Sequence, residues 1–169
     1  MTWRSSNGPK ERLFACLPYA LPLVEVTVFG TFLFRQIPAF ATIYLTLMSP
    51  FIAVYGFISN LFPFAGLILF FVLLLAVVRN YKVRHFIRYN TMQAILISIF
   101  ATLCQLVLQL FGIVGSGFGN ALGAPFEVFF NLIFLVVVAS CVYSIVQCVQ
   151  GLYPDNIPLV SDAARAQVP

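Results

Sequence analysis

Charged residues are scarce in this sequence, and their scarcity excludes an ordinary soluble domain. Only 8% of its 169 residues are charged and 62% are apolar, whereas a soluble globular domain has roughly 25% charged residues. A chain of this length has room for several membrane spans of about 20 residues each and for little else. The composition therefore indicates an all-α integral membrane protein with short tails and no separate soluble domain.

The residue types that usually carry catalysis or bind metals are also few. The single histidine, His85, has no acidic residue near it in sequence. The four cysteines lie inside apolar runs without a CxxC pair, as expected of small buried side chains. The sequence contains no nucleophile motif and no glycine-rich phosphate loop. We therefore expect no catalytic residues, no cofactor and no metal ion.

Long apolar runs make up most of the chain. Their lengths predict four membrane-spanning helices within a membrane domain of residues 13–150. The expected spans cover residues 13–34, 58–78, 86–114 and 125–149. The first run is longer than a signal-peptide core, so we expect it to stay in the mature protein. Polar tails, residues 1–12 and 151–169, flank the domain, and the second tail should lie in water.

Residues 37–57 form a further apolar run, which is broken by Pro50. Its hydroxyl residues recur at helical spacing: Thr42, Thr46 and Ser49. If the run spans the membrane, the nine basic residues divide three to six between the two sides. If it lies in the interface as two short helices hinged at Pro50, they divide eight to one, with only Arg35 on the far side. Basic residues concentrate on the cytoplasmic side, so we predict two interfacial helices, four spans and both termini in the cytoplasm or stroma.

A basic cluster separates the second and third expected spans. Short loops between spans hold such residues mainly for orientation, and anionic lipid head groups attract them by about 1 kcal/mol per residue. We interpret the cluster as a topology or lipid head-group anchor, formed by Arg79, Lys82, Arg84 and Arg88. Cations on a short hairpin are better used at a membrane than on RNA, so we expect no nucleic-acid partner.

One face of the third expected span is polar along its length. The polar residues fall within about 40° of one line when the helix turns about 100° per residue. They are Thr91, Ser98, Thr102, Gln105 and Gln109. Lipid cannot satisfy these groups, so the stripe must face another helix or a hydrated cavity. It predicts either interhelical hydrogen bonds or one wall of a polar path, and both interpretations stay open.

Two acidic residues lie within the expected spans. Glu25 follows Pro18 and Pro22, which leave backbone carbonyls free to accept hydrogen bonds. A carboxyl group in the middle of a span must be paired, hydrogen-bonded or protonated. Glu25 is therefore the strongest candidate for a working residue, with structural bonding across the bundle as the alternative. Glu127 lies where a helix N-terminus favours an acid, and Asn131 follows four residues later. We expect Glu127 to cap the helix, with a place in the polar path or in contacts between helices as the alternative, and the latter two roles are also open to Asn131.

Three segments of the sequence resemble one known family. They are ACLPYALPLVE near the start, VRNYKVRHFIRYNTMQAIL in the middle and IPLVSDAA in the tail. They resemble the twenty-kilodalton component family of the translocon at the inner envelope membrane of chloroplasts (the Tic complex), including its cyanobacterial relatives, over about residues 11–164. The RYNTMQA core is the most specific part. The resemblance implies four membrane helices and a membrane-embedded subunit of a protein-import machinery that forms or lines the conducting path.

The resemblance also suggests a location. No long, serine-rich transit peptide precedes the first apolar run, which is typical of a cyanobacterial or plastid-encoded member. We therefore expect a multi-pass protein of the cyanobacterial plasma or thylakoid membrane, or of the plastid inner envelope if the protein is plastid-encoded.

Three functions remain open. The favoured one is a subunit of a protein translocation machinery that lines a protein-conducting path. A non-conducting structural or assembly subunit would instead use the polar stripe to bind partner membrane helices. A small-solute transporter is the third, and the sequence lacks the repeated halves or paired broken helices that would favour it. The expected partners are membrane lipids, other translocon or membrane-protein subunits and a translocating polypeptide.

Overall fold

The computed structural model describes residues 8–62, 65–110, 124–154, 157 and 160–168. The regular elements in these ranges are helices. In chain order they are α1 (Pro9–Gln36), α2 (Pro38–Leu61), α3 (Ala65–Val78), α4 (His85–Leu110), α5 (Ala124–Gln150) and α6 (Val160–Gln167). Residues 111–114, the expected end of the third span, lie outside the described residues.

Four of these helices are long and apolar enough to cross a membrane. They are α1, α2, α4 and, from Phe126 onward, α5. The prediction of an all-α protein with four such helices and additional shorter ones is therefore confirmed. The second long helix is not the predicted one. It is α2, and the predicted span of residues 58–78 is not a single long helix.

The prediction of two short helices hinged at Pro50 is wrong, because this segment forms the single helix α2. It continues through Pro50 for 24 residues. Proline lacks the N–H that would bond to the Thr46 carbonyl, and the Ser49 hydroxyl donates to that carbonyl at 2.9 Å instead. Thr42 likewise donates to the carbonyl of Pro38 at 3.0 Å. The hydroxyl residues thus bond to the helix's own backbone, which helps the helix to pass the proline unbroken.

The predicted span 58–78 is divided between two helices. Helix α2 ends at Leu61, and α3 has nine α-helical residues followed by the five π-helical residues Leu74–Val78. Fourteen residues make about 21 Å of helix, which is less than the roughly 30 Å of the hydrocarbon core. The break between α2 and α3 was not evident from the sequence, because apolar residues continue across Phe62, the first residue after α2.

Helix α2 runs obliquely to α1. It begins two residues after Gln36, the end of α1, and the chain that follows α2 brings Gly66 beside the carboxylate of Glu25. The helix is about 36 Å long, while Gln36 and Glu25 are separated by only about 16 Å of α1. From this difference in length we infer that α2 crosses α1 at an angle. Together α2 and α3 therefore lead the chain from the end of α1 back to the level of its start.

The described basic residues gather at one end of the bundle, with the exception of Arg35. The Arg84 guanidinium pairs with Glu11 at 2.9 Å, and Arg12 donates to the Val149 carbonyl at 3.1 Å. The start of α1, the hairpin before α4 and the end of α5 are therefore neighbours. This arrangement matches the charge division expected for a chain whose ends lie on one side.

Aromatic side chains fill the end of the bundle opposite the basic hairpin. The rings of Phe34 and Tyr44 each pack edge-on against Phe134 with centroids 5.4 Å apart. A Cβ added to Gly30 would lie 2.8 Å from the Phe134 ring, so glycine permits this close packing. Tyr44 also donates to the Leu23 carbonyl at 2.7 Å. These contacts hold the first part of α2 against α1 and α5.

The C-terminal tail packs back against the bundle, a contact that the sequence did not predict. Helix α5 ends in a Schellman motif, in which Gly151 has φ +75° and the Leu152 N–H donates to the Gln147 carbonyl at 2.9 Å. The chain then turns back, and α6 packs on α4 with Ser161 and Ala164 buried. The polar composition concealed this packing, because only a few small side chains of the tail are buried.

Candidate functional site

A groove lined by both polar and apolar side chains lies between four helices. It has a volume of about 500 Å³ and is lined by α1, α2, α3 and α4, with no described residue of α5. Its polar side chains are Glu25, Tyr55, Ser59, Ser98, Thr102, Gln105 and Gln109. We call it the polar groove.

Glu25 is the acidic residue of the polar groove, and it connects α1 to α3 and α4. The Ser98 hydroxyl of α4 donates to its carboxylate. On α3, a Cβ added to Gly66 would lie 3.1 Å from Glu25 Oε1 and 3.2 Å from the Tyr55 hydroxyl. Glycine at position 66 therefore lets α3 approach the carboxylate closely. Glu25 is hydrogen-bonded, as the sequence requires, and no ion pair to it is found among the described residues.

The structure brings four members of the predicted stripe to the polar groove and places the fifth elsewhere. Ser98, Thr102, Gln105 and Gln109 line the polar groove. Thr91 is fully buried, its hydroxyl has no hydrogen-bond partner among the described residues, and its side chain lines a separate apolar groove. The stripe is continuous on α4, but the neighbouring helices change along it, so its two ends have different surroundings.

Glu127 and Asn131 do not line the polar groove. Both are half-buried on α5, and the Asn131 side-chain oxygen is buried without a hydrogen-bond partner among the described residues. The described part of α5 contributes no lining residue to the polar groove. A role of these two residues in contacts between helices stays a prediction.

The basic cluster divides into two pairs. Arg84 is bonded to the acidic residue at the start of α1. Arg88 is buried, and its Nε donates to the carbonyl of the last residue of α3 at 2.7 Å. Arg84 therefore links the hairpin to α1, and Arg88 links α3 to α4. Arg79 and Lys82 are exposed and are the members of the cluster that suit a lipid head-group anchor.

A second polar site was not predicted from the sequence. The Tyr19 hydroxyl of α1 donates to the amide oxygens of Asn90 and Gln93 of α4, at 3.1 Å each. The Gln93 amide donates to the Pro154 carbonyl at 2.9 Å and to the Ser161 hydroxyl at 3.2 Å. All four side chains are buried. This buried network ties α1, α4 and the C-terminal tail together.

Two features of the sequence point to the buried network in retrospect. Asn90 and Gln93 are three residues apart, so they share a face of α4. They belong to the RYNTMQA segment, and Ser161 belongs to IPLVSDAA. The segments that carry the family resemblance therefore meet in space. Asn90 and Gln93 are not part of the polar stripe, because they lie on a different line along the same helix.

The polar groove and the buried network differ in what they can bind. The network's amides and hydroxyls bond to one another and to backbone. The polar groove offers a carboxylate, hydroxyls and amides to whatever enters it. In the part of the chain that the structure describes, no group of three or more histidine, cysteine or acidic side chains could hold a metal ion. The polar groove is thus suited to hydrogen-bond water or the polar groups of another chain.

Comparisons with known proteins give the same family along almost the whole chain. Residues 8–164 match the family model described as chloroplast import apparatus Tic20-like. A Tic20 family protein of Synechocystis sp. is 42% identical over 168 residues, which is 99% of each chain. The chloroplastic protein TIC 20-v of Arabidopsis thaliana is 32% identical over 163 residues, 96% of this chain and 73% of its own. The Tic20 family protein Ycf60 of Porphyra purpurea is 31% identical over 178 residues, 99% of this chain and 80% of its own.

Proposed function

The chain belongs to the Tic20 family, and from this premise we propose that it is a subunit of a protein translocation machinery whose polar groove contacts the polypeptide in transit. Family membership suggests a component of a protein import translocon. Four helices long and apolar enough to cross a membrane agree with a membrane-embedded subunit. The finer part of the proposal is that the polar groove forms one wall of the path.

The polar side chains around Glu25 support this role. An unsatisfied polar group in hydrocarbon costs several kcal/mol, so polar residues inside a membrane bundle are kept where they pair or where function uses them. Thr102 and Gln109 are exposed, and both line the polar groove. Hydrogen-bonding groups that line an open groove suit a polypeptide, whose backbone donors and acceptors also need partners in the membrane.

This chain supplies only part of a path. The polar groove has walls from α1 to α4 and none from the described residues of α5. A closed path would therefore need further subunits to complete it. This geometry supports the association with other translocon subunits that family membership implies.

The test is site-specific photo-crosslinking from the polar groove. A photo-reactive residue replaces Gln105, and a matched one replaces Val107, which is exposed on the same helix but does not line the polar groove. With a polypeptide arrested in transit, we expect adducts to that polypeptide from position 105 and few from position 107. Equal yields from the two positions, or none from 105, would contradict a polypeptide path in the polar groove.

A non-conducting assembly subunit is the second candidate, and the exposure of α2 favours it. Tyr44 and Met48 are the buried residues of this 24-residue apolar helix. So much apolar helix surface could pack against a partner helix as well as against lipid. Adducts from position 105 to the same membrane protein, with or without an arrested polypeptide, would favour assembly over conduction.

The proposal includes an orientation, with both ends of the chain on the cytoplasmic or stromal side. The membrane is the plasma or thylakoid membrane of a cyanobacterium, or the plastid inner envelope. The clustering of basic residues at one end of the bundle supports this orientation. Single cysteines at Lys10, Lys82 and Arg165 should react with an impermeant reagent from one side, and one at Gln36 from the other. Reaction of positions 10 and 82 from opposite sides would overturn the orientation.

A further inference from the structure

A second groove on this protein is almost entirely apolar. It has a volume of about 660 Å³, within the range of small-molecule pockets. Its walls come from α1, α2, α3 and the start of α4. The lining residues used below are Phe14, Val24, Val72, Leu73, Val77 and Val83. We call it the apolar groove, and it is distinct from the polar groove, although Tyr55 borders both.

Basic residues lie close in sequence to lining residues at one end of the apolar groove. Val77 and Val83 line this end, and the hairpin between them carries Arg79 and Lys82, both exposed. Lys10 is also exposed and lies one helical turn before Phe14, which lines the same groove. In the described residues, the acid nearest in sequence to Lys10, Glu11, is already paired with Arg84. The mouth of the apolar groove is therefore positively charged.

The length of the apolar groove corresponds to one leaflet of a bilayer. Along α1 it extends from Phe14 to Val24, ten residues or about 15 Å. The hydrocarbon core of a bilayer is about 30 Å thick, so half of it is about 15 Å. We propose that the apolar groove holds an acyl chain of an anionic phospholipid, with the head group bound by Arg79 and Lys82 at the basic end.

An anionic lipid suits this surface better than a partner helix does. A membrane-spanning helix would need contact along about 30 Å, and the apolar groove extends over about half of that. Cations at one end of an apolar surface match a molecule with a negative head and an apolar tail. This inference does not depend on whether the polar groove conducts a polypeptide.

The first test measures lipid binding by the full-length protein. Native mass spectrometry on protein from phosphatidylcholine nanodiscs containing phosphatidylglycerol should show retained phosphatidylglycerol. Replacing both Arg79 and Lys82 with glutamine should weaken retention about thirtyfold, on the basis of the usual attraction of about 1 kcal/mol of each cation to anionic lipid. The matched control is Arg35→Gln, a cation at the opposite end of α1, which should leave retention unchanged. Equal retention of the two lipids would overturn the proposal.

The second test fills the apolar groove. Val72 lines it and is 52% exposed, so Val72→Trp should add bulk there without disturbing the core. Phosphatidylglycerol retention should fall at least fivefold, whereas Val107→Trp, on another exposed surface, should leave it unchanged. Unchanged retention in Val72→Trp would mean that the cations attract lipid without the apolar groove, and the proposal would be wrong.

The third test identifies the occupant directly. A photo-reactive residue in place of Leu73, which lines the apolar groove, should form an adduct with the mass of phosphatidylglycerol in the same nanodiscs. Adducts with a polypeptide partner in native membranes, or with a second copy of this chain, in place of the lipid adduct would overturn the lipid assignment.

Discussion

The polar groove and the buried network place polar residues of α1 and α4 together in two different ways. In the buried network, Tyr19 and Gln93 are closed off from the surroundings and bonded to each other and to the tail. In the polar groove, Glu25 and Ser98 bond to each other, while Gln109 remains exposed at the wall. The same pair of helices therefore carries a closed polar site and an open one.

This difference indicates separate purposes for the two sites. A closed network of satisfied hydrogen bonds specifies how helices and tail pack, because each member loses its partner if the packing changes. The exposed groups of an open groove, such as Gln109, give the fold less stability, since an apolar side chain there would leave no buried partner unpaired. We infer that the buried network holds the fold and that the polar groove serves function.

The largest expected effect on stability is in the buried network. Gln93→Leu removes the acceptor and donor that join Tyr19, Pro154 and Ser161. Loss of these three buried hydrogen bonds, each contributing about 1 kcal/mol net, should lower the free energy of unfolding by about 2 to 3 kcal/mol. Denaturant unfolding in detergent micelles measures this, and proteolysis should also cut the released tail faster.

Gln105→Leu is the matched control for that substitution, because it makes the same change on the same helix at the polar groove. Its effect should be about 0.6 kcal/mol, the average for a side-chain hydrogen bond in a membrane. Equal losses of stability at positions 93 and 105 would remove the distinction between a structural and a functional site.

The largest expected effect on function is in the polar groove. Glu25→Gln keeps a side chain that accepts the hydrogen bond from Ser98 but removes the charge. Because a charged carboxylate accepts hydrogen bonds from a passing polypeptide more strongly than a neutral amide does, we expect translocation to slow about five- to tenfold. The weakened bond from Ser98 should lower the free energy of unfolding by about 1 kcal/mol or less. A reconstituted translocation assay measures the rate. Glu127→Gln, outside the polar groove, is the control and should translocate like the unchanged protein. Comparable rates in the unchanged protein and in both variants would argue against a role for the Glu25 charge.

A smaller effect is expected where the tail meets the buried network. The Ser161 hydroxyl accepts from the Ile157 N–H at 3.3 Å and donates to the Pro154 carbonyl at 2.9 Å. Ser161→Ala should therefore reduce the free energy of unfolding by about 1 kcal/mol and leave translocation unchanged. Asp162→Asn, at the exposed neighbouring residue, should change neither. A translocation defect in Ser161→Ala with normal stability would extend the functional site into the tail.

The helical class and the ends of the bundle could be predicted from the sequence. Apolar runs and sparse charge determine membrane helices, and the division of basic residues correctly groups the start of α1 with the hairpin before α4. The continuity of α2 could not be predicted, because it depends on a hydroxyl at position 49 that replaces the hydrogen bond lost at Pro50. The shortness of α3 could not be predicted either, since hydropathy does not show where one helix ends and the next begins within an apolar run.

The candidate site was predicted in part. Helical periodicity groups Ser98, Thr102, Gln105 and Gln109 on one face, and the scarcity of acids in the spans singles out Glu25; the structure brings all five to one groove. Periodicity within one helix cannot say which helix lies opposite. For that reason the sequence did not separate Thr91 from the stripe and did not identify Tyr55 and Gly66 as neighbours of the carboxylate.

The most direct measurement is thiol accessibility at the two sites in intact membranes. Single cysteines replace Gln105 and Gln109 in the polar groove, Gln93 in the buried network and Phe100 on an exposed apolar surface outside the polar groove. The unchanged protein, with its four native cysteines, sets the background. With a small, charged thiol reagent, positions 105 and 109 should react, while 93 and 100 stay at background. Silence at both 105 and 109, or equal reaction at 93, would contradict the contrast between an open functional groove and a closed structural network.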